Sequence, residues 1–446
     1  MYLFEEFDAV SPKHWKQKIQ ADLNGADYHK TLVTSTNEGI DINPFYTKEN
    51  RTNITVNSTN KPFNICQSIF IDDEKIANTL AINALKNGAN AIEFIAKKPF
   101  KFEILLKQIN TQSTTLYFTF QFLNADFSIE LSKFISSKNC FLNIDIIGNL
   151  AKTGNWFTNL KEDHIELEKI ITSTNNSVSV NANLYQNAGA NITQQLAYAL
   201  AHANEYLNHF KSSVAHKIYF NFSVGSNYFF EIAKLRAFRV LWSSLLNQYN
   251  IEATAHIFAQ PSLRNKTLYD YNVNMLRTTT ECMSAVLGGA NTISNLSYDT
   301  IFHKSSDFGE RIARNQLLIL QEETDFKNAQ YIVDGTYYIE SITQQLAEKA
   351  LTIFKSIENG GGFLKQLKSG IIQKKITETA SKEQNQFDNQ ELILVGTNLT
   401  KNETDKMKDE LELYPFVKTR NQKTLIQPII EQRLAEKTEQ ERLQNE

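Results

Sequence analysis

From Lys61 to about Ile376 the chain alternates short β-rich runs with longer segments of helical periodicity, and few folds accommodate that pattern. The runs are Asn64–Ile71, Ala91–Ala96, Leu116–Phe122, Phe141–Ile147, Val178–Leu184, Ile218–Val224, Glu252–Ala259 and Thr292–Leu296. Each precedes a segment such as Asp73–Asn87, Ile192–Phe210, Asn227–Asn247 or Asp307–Glu323, where Leu, Ile, Ala and Phe recur at three- and four-residue steps. Eight strand-then-helix units predict an α/β fold, a closed (β/α)8 TIM barrel over residues 46–376. The flanks do not fit the repeat. Residues 1–45 read as an amino-terminal arm, with an amphipathic segment through Trp15, Ile19 and Leu23 that stops at Asn24-Gly25. Residues 377–446 read as a linker-like extension, whose last stretch, EQRLAEKTEQERLQNE, is expected to be a solvated helix or frayed tail.

Barrel strands are ordinarily apolar on both faces. Several strands here alternate instead: Phe118, Phe120 and Phe122 against Tyr117, Thr119 and Gln121; Leu142, Ile144 and Ile146 against Asn143 and Asp145. Val178 and Val180 oppose Ser179, Asn181 and Asn183, and Phe220, Phe222 and Val224 oppose Tyr219, Asn221 and Ser223. In the seventh run Ala253, Ala255 and Ile257 oppose Glu252, Thr254 and His256. Helices cover the outside, so the polar set is expected to point inward. Bulky members such as Tyr117, Gln121, Asn143, Asn181 and Tyr219 favour a plugged axis over an open channel for a hydrophilic ligand. Asp145, Glu252 and His256 are then candidates for a buried charged network, since buried polar groups must be paired.

The charge balance, 46 Lys+Arg against 49 Asp+Glu, supplies no basic surface for nucleic acid or anionic membrane. No run reaches the roughly 20 apolar residues of a membrane span, and the acidic start MYLFEEFDAVSPKHW is unlike a secretory signal. A cytoplasmic protein is expected. Cys66, Cys140 and Cys282 are too dispersed for a disulfide framework or a metal knuckle. No phosphate-binding G-x-x-x-x-G-K-[ST] occurs, and Gly360-Gly361-Gly362 reads as a helix stop. His202 and His209, with Glu205 between, lack the i, i+4 spacing of helical metal ligands. Glu310, Arg311, Arg314 and Glu323 read as a solvated helix face.

Longer strings carry a resemblance. NEGIDINPFYTKEN from Asn37, NAGANITQQLAYALAHANEYL from Asn187, NYFFEIAKLRAFRVLW from Asn227, SDFGERIARNQLLILQEE from Ser306 and VDGTYYIESITQQLAEKA from Val333 resemble methylmalonyl-CoA mutases, in order and over nearly the whole chain. The resemblance implies a substrate barrel whose axis passes the pantetheine arm of coenzyme A. It also implies adenosylcobalamin on a separate domain as the radical source.

The departures from the family pattern fall at its functional positions. Where catalytic chains read T-M-Y-x-x-R-P-W-T-I-R-Q, this one has Asn57 to Gln67, with Ser58 in place of the Tyr. Their G-Y-H-x-x-E-A-G-A becomes Ala182 to Ala190, so that Asn183 and Leu184 stand for the Tyr and His that hold the acyl group, and Leu184 cannot donate a hydrogen bond. The Gln and Arg that follow the fourth strand are absent from Ile147 to Gly154. In the seventh strand's H-x-Q-T-S-G the His becomes Phe258, while Gln260 and Ser262 persist. The cobalt-binding D-x-H-x-x-G has only a partial echo, Asp27-Tyr28-His29, which lacks the Gly and lies in the arm.

These losses imply a non-catalytic small subunit with no catalytic, cofactor or metal residues of its own. It would form a heterodimer with a large catalytic subunit that carries the adenosylcobalamin, contacted by the arm through Phe4, Phe7, Trp15 and Ile19. The competing expectation is an acyl-CoA-binding or catalytic barrel that uses a cobalamin domain on another chain. Inward Asn143, Asp145, Asn181, Asn183 and His256 would serve it.

Overall fold

A computed structural model describes residue 6, residues 8–51, residue 56 and residues 61–418 and 422–446. Eight parallel strands form one sheet: β1 (Asn64–Ile71), β2 (Ala91–Ala96), β3 (Thr115–Phe120), β4 (Cys140–Asn143), β5 (Val178–Asn181), β6 (Ile218–Val224), β7 (His256–Pro261) and β8 (Thr292–Ser294). The spatial order β4-β3-β2-β1-β8-β7-β6-β5 is that of a barrel opened for counting between β4 and β5. Backbone bonds from Leu142 N to Asn176 O (2.8 Å) and from Ser179 N to Ile144 O (3.0 Å) bridge that seam. The barrel expected from the eightfold repeat is therefore present.

Outside lie α2 (Glu74–Lys86), α3 (Ala125–Ile135), α4 (Leu160–Ser173), α5 (Ile192–Phe210), α6 (Tyr228–Gln248), α7 (Val273–Leu287), α8 (Asp307–Leu318) and α9 (Tyr337–Asn359), preceded by an arm helix α1 (Pro12–Asp22). Short polar residues start several of them. Asp73, Asn124, Asn159 and Ser306 each accept a backbone N–H of the first turn, and Asn191 forms a capping box with Gln194. The outward strand residues Phe94, Phe118, Leu142, Val180, Phe220, Phe222 and Ile257 are buried under these helices, as Phe220 is between Phe238 (4.5 Å) and Trp242 (4.9 Å). Gly361 and Gly362, at φ of 99° and 91°, end the α9 region in the left-handed conformation that glycine tolerates.

Four expectations need correction. The fourth strand stops at Asn143, because Asp145 turns away to cap the helix Ile146–Thr153 through Gly148 N (2.7 Å). The seventh strand starts at His256, leaving Glu252 exposed on the preceding loop. Arg314 is buried rather than solvated, its guanidinium bonded to Gln67 Oε1 and Asn87 O. The last stretch takes the helical one of its two readings, over Glu436–Gln444, but it is anchored rather than wholly solvated or frayed. Arg433 pairs with Glu439 at 2.6 Å, donates to Lys266 O and Pro415 O, and is as buried as Leu434, Ala435 and Glu436. Helix α10 (Ile371–Asp388) runs on through residue 376, and α11 (Glu436–Gln444) ends the fold.

Among the described residues no helix is long and apolar enough to cross a membrane. Cys66, Cys140 and Cys282 are free and buried.

Candidate functional site

The resemblance implies a ligand path along the barrel axis, and side chains fill that axis in two layers. In the amino-terminal half, Cys66, Ala91, Tyr117, Phe141, Tyr219 and Phe258 form one apolar cluster. Tyr117 stacks on Phe141 (4.8 Å) and meets Phe258 edge-on (4.8 Å), and Phe141 stacks on His256 (4.3 Å). The Tyr117 hydroxyl lies 2.7 Å from His256 Nε2 and 2.7 Å from Thr292 Oγ1, tying β3 to β7 and β8 across the centre. Burial, with the Arg239 charge adding to it, pushes the His256 imidazole down to about 3, so at neutral pH it is uncharged.

Above these rings runs a polar belt. The Asn221 amide donates to Asn181 (2.6 Å), Asn181 to Asn143 (3.0 Å), and Asn143 to Thr119 (3.1 Å). The Thr119 and Ser68 hydroxyls stand 2.7 and 2.5 Å from the two carboxyl oxygens of Glu93. Ser68 also meets Ser294 (2.9 Å) and Gln260 (3.5 Å). One hydrogen-bonded chain thus draws a side chain from every strand, and its members satisfy one another. Burial raises the Glu93 carboxyl above its ordinary value, with the two hydroxyl bonds opposing.

The expected inward set divides accordingly. Tyr117, Thr119, Asn143, Ser179, Asn181, Tyr219, Asn221 and His256 do belong to the filled axis. Gln121 is exposed beyond β3, and Asn183 opens a short helix past β5, its Oδ1 accepting from Leu184 N. Asp145 is buried but off the axis. Its Oδ1 accepts from Tyr206 (2.7 Å) and lies 2.9 Å from His202 Nε2, while Oδ2 accepts from Asn181 N (2.8 Å). Burial alone would raise this carboxyl, but His202 and the hydrogen bonds hold it below its ordinary value. The expected Asp145, Glu252 and His256 network does not assemble. The axial carboxyl is Glu93, overlooked in the sequence because a single Glu among Ala91, Ile92, Phe94 and Ile95 breaks no alternation.

Of the positions where the resemblance finds family residues replaced, Ser58 lies outside the described residues. Leu184 is buried in the main apolar core, and Phe258 sits among the axial rings. Ser262, a retained position, is turned aside to Asn187 Oδ1 (2.9 Å). Asp27 caps the short helix Tyr28–Leu32 by accepting from Lys30 N (2.8 Å), which leaves the exposed His29 on a helix surface. That string does not fit a cobalt ligand. Among the described residues no three His, Cys, Asp or Glu side chains group to hold a metal. His202 is enclosed between Asp145 and the Tyr185 hydroxyl (2.8 Å), and His209 faces His164 instead.

A bowl of about 840 Å³ opens at the amino-terminal end of the barrel, its lining including Ser243, Asn247, Glu252 and His216 but neither Lys nor Arg. Phe141, Tyr219 and His256, members of the axial packing, also line it.

The molecule is thus a (β/α)8 barrel whose axis is filled by its own side chains. The family model for methylmalonyl-CoA mutase matches residues 105–445. The methylmalonyl-CoA mutase small subunit of Porphyromonas gingivalis is 34% identical over 452 residues, covering 92% of this chain and 73% of that one. This chain belongs to the methylmalonyl-CoA mutase family. The methylmalonyl-CoA mutase of Rhizobium meliloti is 35% identical over 53% of this chain and 35% of its own length. The large subunit of the Porphyromonas gingivalis mutase is 32% identical over 50% of this chain and 33% of its own. Against these longer relatives the chain spans about a third of their length.

Proposed function

We propose that this chain is the non-catalytic subunit of an adenosylcobalamin-dependent methylmalonyl-CoA mutase, a cytoplasmic heterodimer whose large subunit binds the cofactor. In that assembly the large subunit interconverts methylmalonyl-CoA and succinyl-CoA. This chain contributes a rigid surface to it and no reacting group.

The observation that carries the reading is the filled axis. A pantetheine arm would have to displace Tyr117, Phe141, Phe258 and the Glu93 belt, whose rings and hydrogen bonds are already complete. Support comes also from the replaced positions, since Asn183 is occupied by its own helix turn, and Leu184 and Phe258 by packing. The arm supports the association. Helix α1 has no buried residue in the isolated chain, and Trp15 is 53% exposed with Phe45 as its ring partner at 6.4 Å. Apolar side chains left uncovered on a docked arm are what an obligate interface would bury. The expected contacts at Phe4 and Phe7 lie outside the described residues.

Two measurements test this. Mixed with the large subunit, the chain is expected to elute as a stable one-to-one complex, and two independent species would count against it. Titration calorimetry of the isolated chain with methylmalonyl-CoA is expected to give no heat of binding. A saturable heat would favour the competing reading of an acyl-CoA-binding barrel, with the amino-terminal bowl as the mouth.

A further inference from the structure

Glu93 is an ionisable group enclosed at the centre of the barrel, 7% exposed, and among the described residues no cation acts on it. The side chains that face it are Cys66 and Ser68 of β1, Tyr117 and Thr119 of β3, Tyr219 of β6 and Ser294 of β8. Burial raises the thiol and both phenols, so all three are uncharged at neutral pH, and would repel a carboxylate only as anions. Below them His256 is neutral and engaged by Tyr117. Asn143 and Gln260 complete the surroundings as uncharged amides.

A carboxylate in such a place lacks the compensating charge that buried ions need. A carboxylic acid does not. Its Oε2–H would donate to Ser68 Oγ at 2.5 Å, the Ser68 hydroxyl would in turn donate a hydrogen bond to Ser294 Oγ at 2.9 Å, and Oε1 would still accept from Thr119 at 2.7 Å. The belt therefore accommodates the proton without moving a heavy atom.

We propose that Glu93 is carried as the neutral acid and that this proton keeps the axis closed, so that ionisation of Glu93 loosens the filled centre and makes barrel closure sensitive to alkaline pH. The chemistry belongs to the isolated chain, with or without a partner subunit. The sign follows from linkage. A carboxyl held more protonated in the folded than in the unfolded chain lowers stability as pH rises from its ordinary value to its raised one.

The test compares the wild type with Glu93→Gln, whose amide can donate to Ser68 and accept from Thr119. Urea unfolding between pH 5 and 9 is expected to show the wild-type folding constant falling faster with pH, by up to about tenfold per unit within the titration. The variant is expected to be at least as stable as the wild type at the alkaline end. The infrared difference spectrum at pH 7 is expected to lose a protonated-carboxyl C=O band. Loss of carboxylate bands instead, an unchanged pH slope, or wild-type stability that depends on added Na⁺ or K⁺ would each overturn the proposal. If Glu93→Gln does not fold, Ser68→Ala keeps the acid and removes its acceptor. It is expected to shift that same C=O band, and an unmoved spectrum would also overturn the proposal.

Discussion

The Tyr117 hydroxyl sits 2.7 Å from Nε2 of His256, and the bond joins strands β3 and β7 through the centre of the barrel. Neither residue is charged, so the contact adds stability without placing an ion on the axis. Tyr117→Phe keeps the ring packing and leaves His256 Nε2 without this partner. A loss of about 1–3 kcal/mol is expected, the cost of a buried polar group left unpaired. Tyr117→Ala would also empty ring volume and is expected to cost about 3–5 kcal/mol. Urea unfolding at pH 7 measures both.

Asp145 is expected to be the most acid-sensitive group of the barrel wall. Its carboxyl accepts from Gly148 N, Asn181 N and Tyr206, beside His202, and bridges the seam between β4 and β5. Because the folded state holds it below its ordinary value, its contribution is present above that value and is lost as pH falls through the folded one. Asp145→Asn is expected to destabilise by about 3–5 kcal/mol at pH 7, since it breaks a buried pair by removing one partner. It should also flatten the acid limb of a stability profile.

Glu310 titrates in the opposite sense. Burial raises its carboxyl to about 7, against the bond from Ser305 and the charge of Arg314. Its stability term is full below the ordinary carboxyl range and declines as pH rises towards about 7. Glu310→Gln is therefore expected to gain about 1–3 kcal/mol above pH 7 and nothing near pH 4. Thermal unfolding at the two pH values measures the difference.

The carboxy-terminal segment is expected to be part of the cooperative fold. Glu439 pairs with Arg433 and accepts from Leu268 N at 2.7 Å, although both charged groups are almost fully enclosed. Glu439→Ala leaves Arg433 unpaired and is expected to cost about 3–5 kcal/mol. Faster proteolytic release of the last residues, read by mass spectrometry, would accompany the loss.

Trp15→Ala separates folding from association. The side chain is half exposed in the isolated chain, so urea stability is expected to change by less than about 0.5 kcal/mol. Binding to the large subunit is expected to weaken by tenfold or more, as truncation of an interfacial aromatic anchor does. Surface plasmon resonance with the full chains measures it.

Hydrophobic periodicity alone determined the barrel. Alternation within a run and helical repeat between runs depend on nearest neighbours, and they placed β1, β2 and β6 at their observed limits. Alternation also told which parity faces inward at Tyr117, Asn143 and Tyr219. It failed where a run outlasted its strand, at Asp145 and Glu252, because a cap or an exposed loop continues the same polar rhythm. Only the tertiary structure decided which charged side chain reaches the axis. Glu93 gains its role from Ser68 and Thr119 on neighbouring strands, and Arg433 from Glu439 and the barrel top. Distance along the chain carries no record of such meetings, since they are set by strand register and by the closure of the sheet on itself.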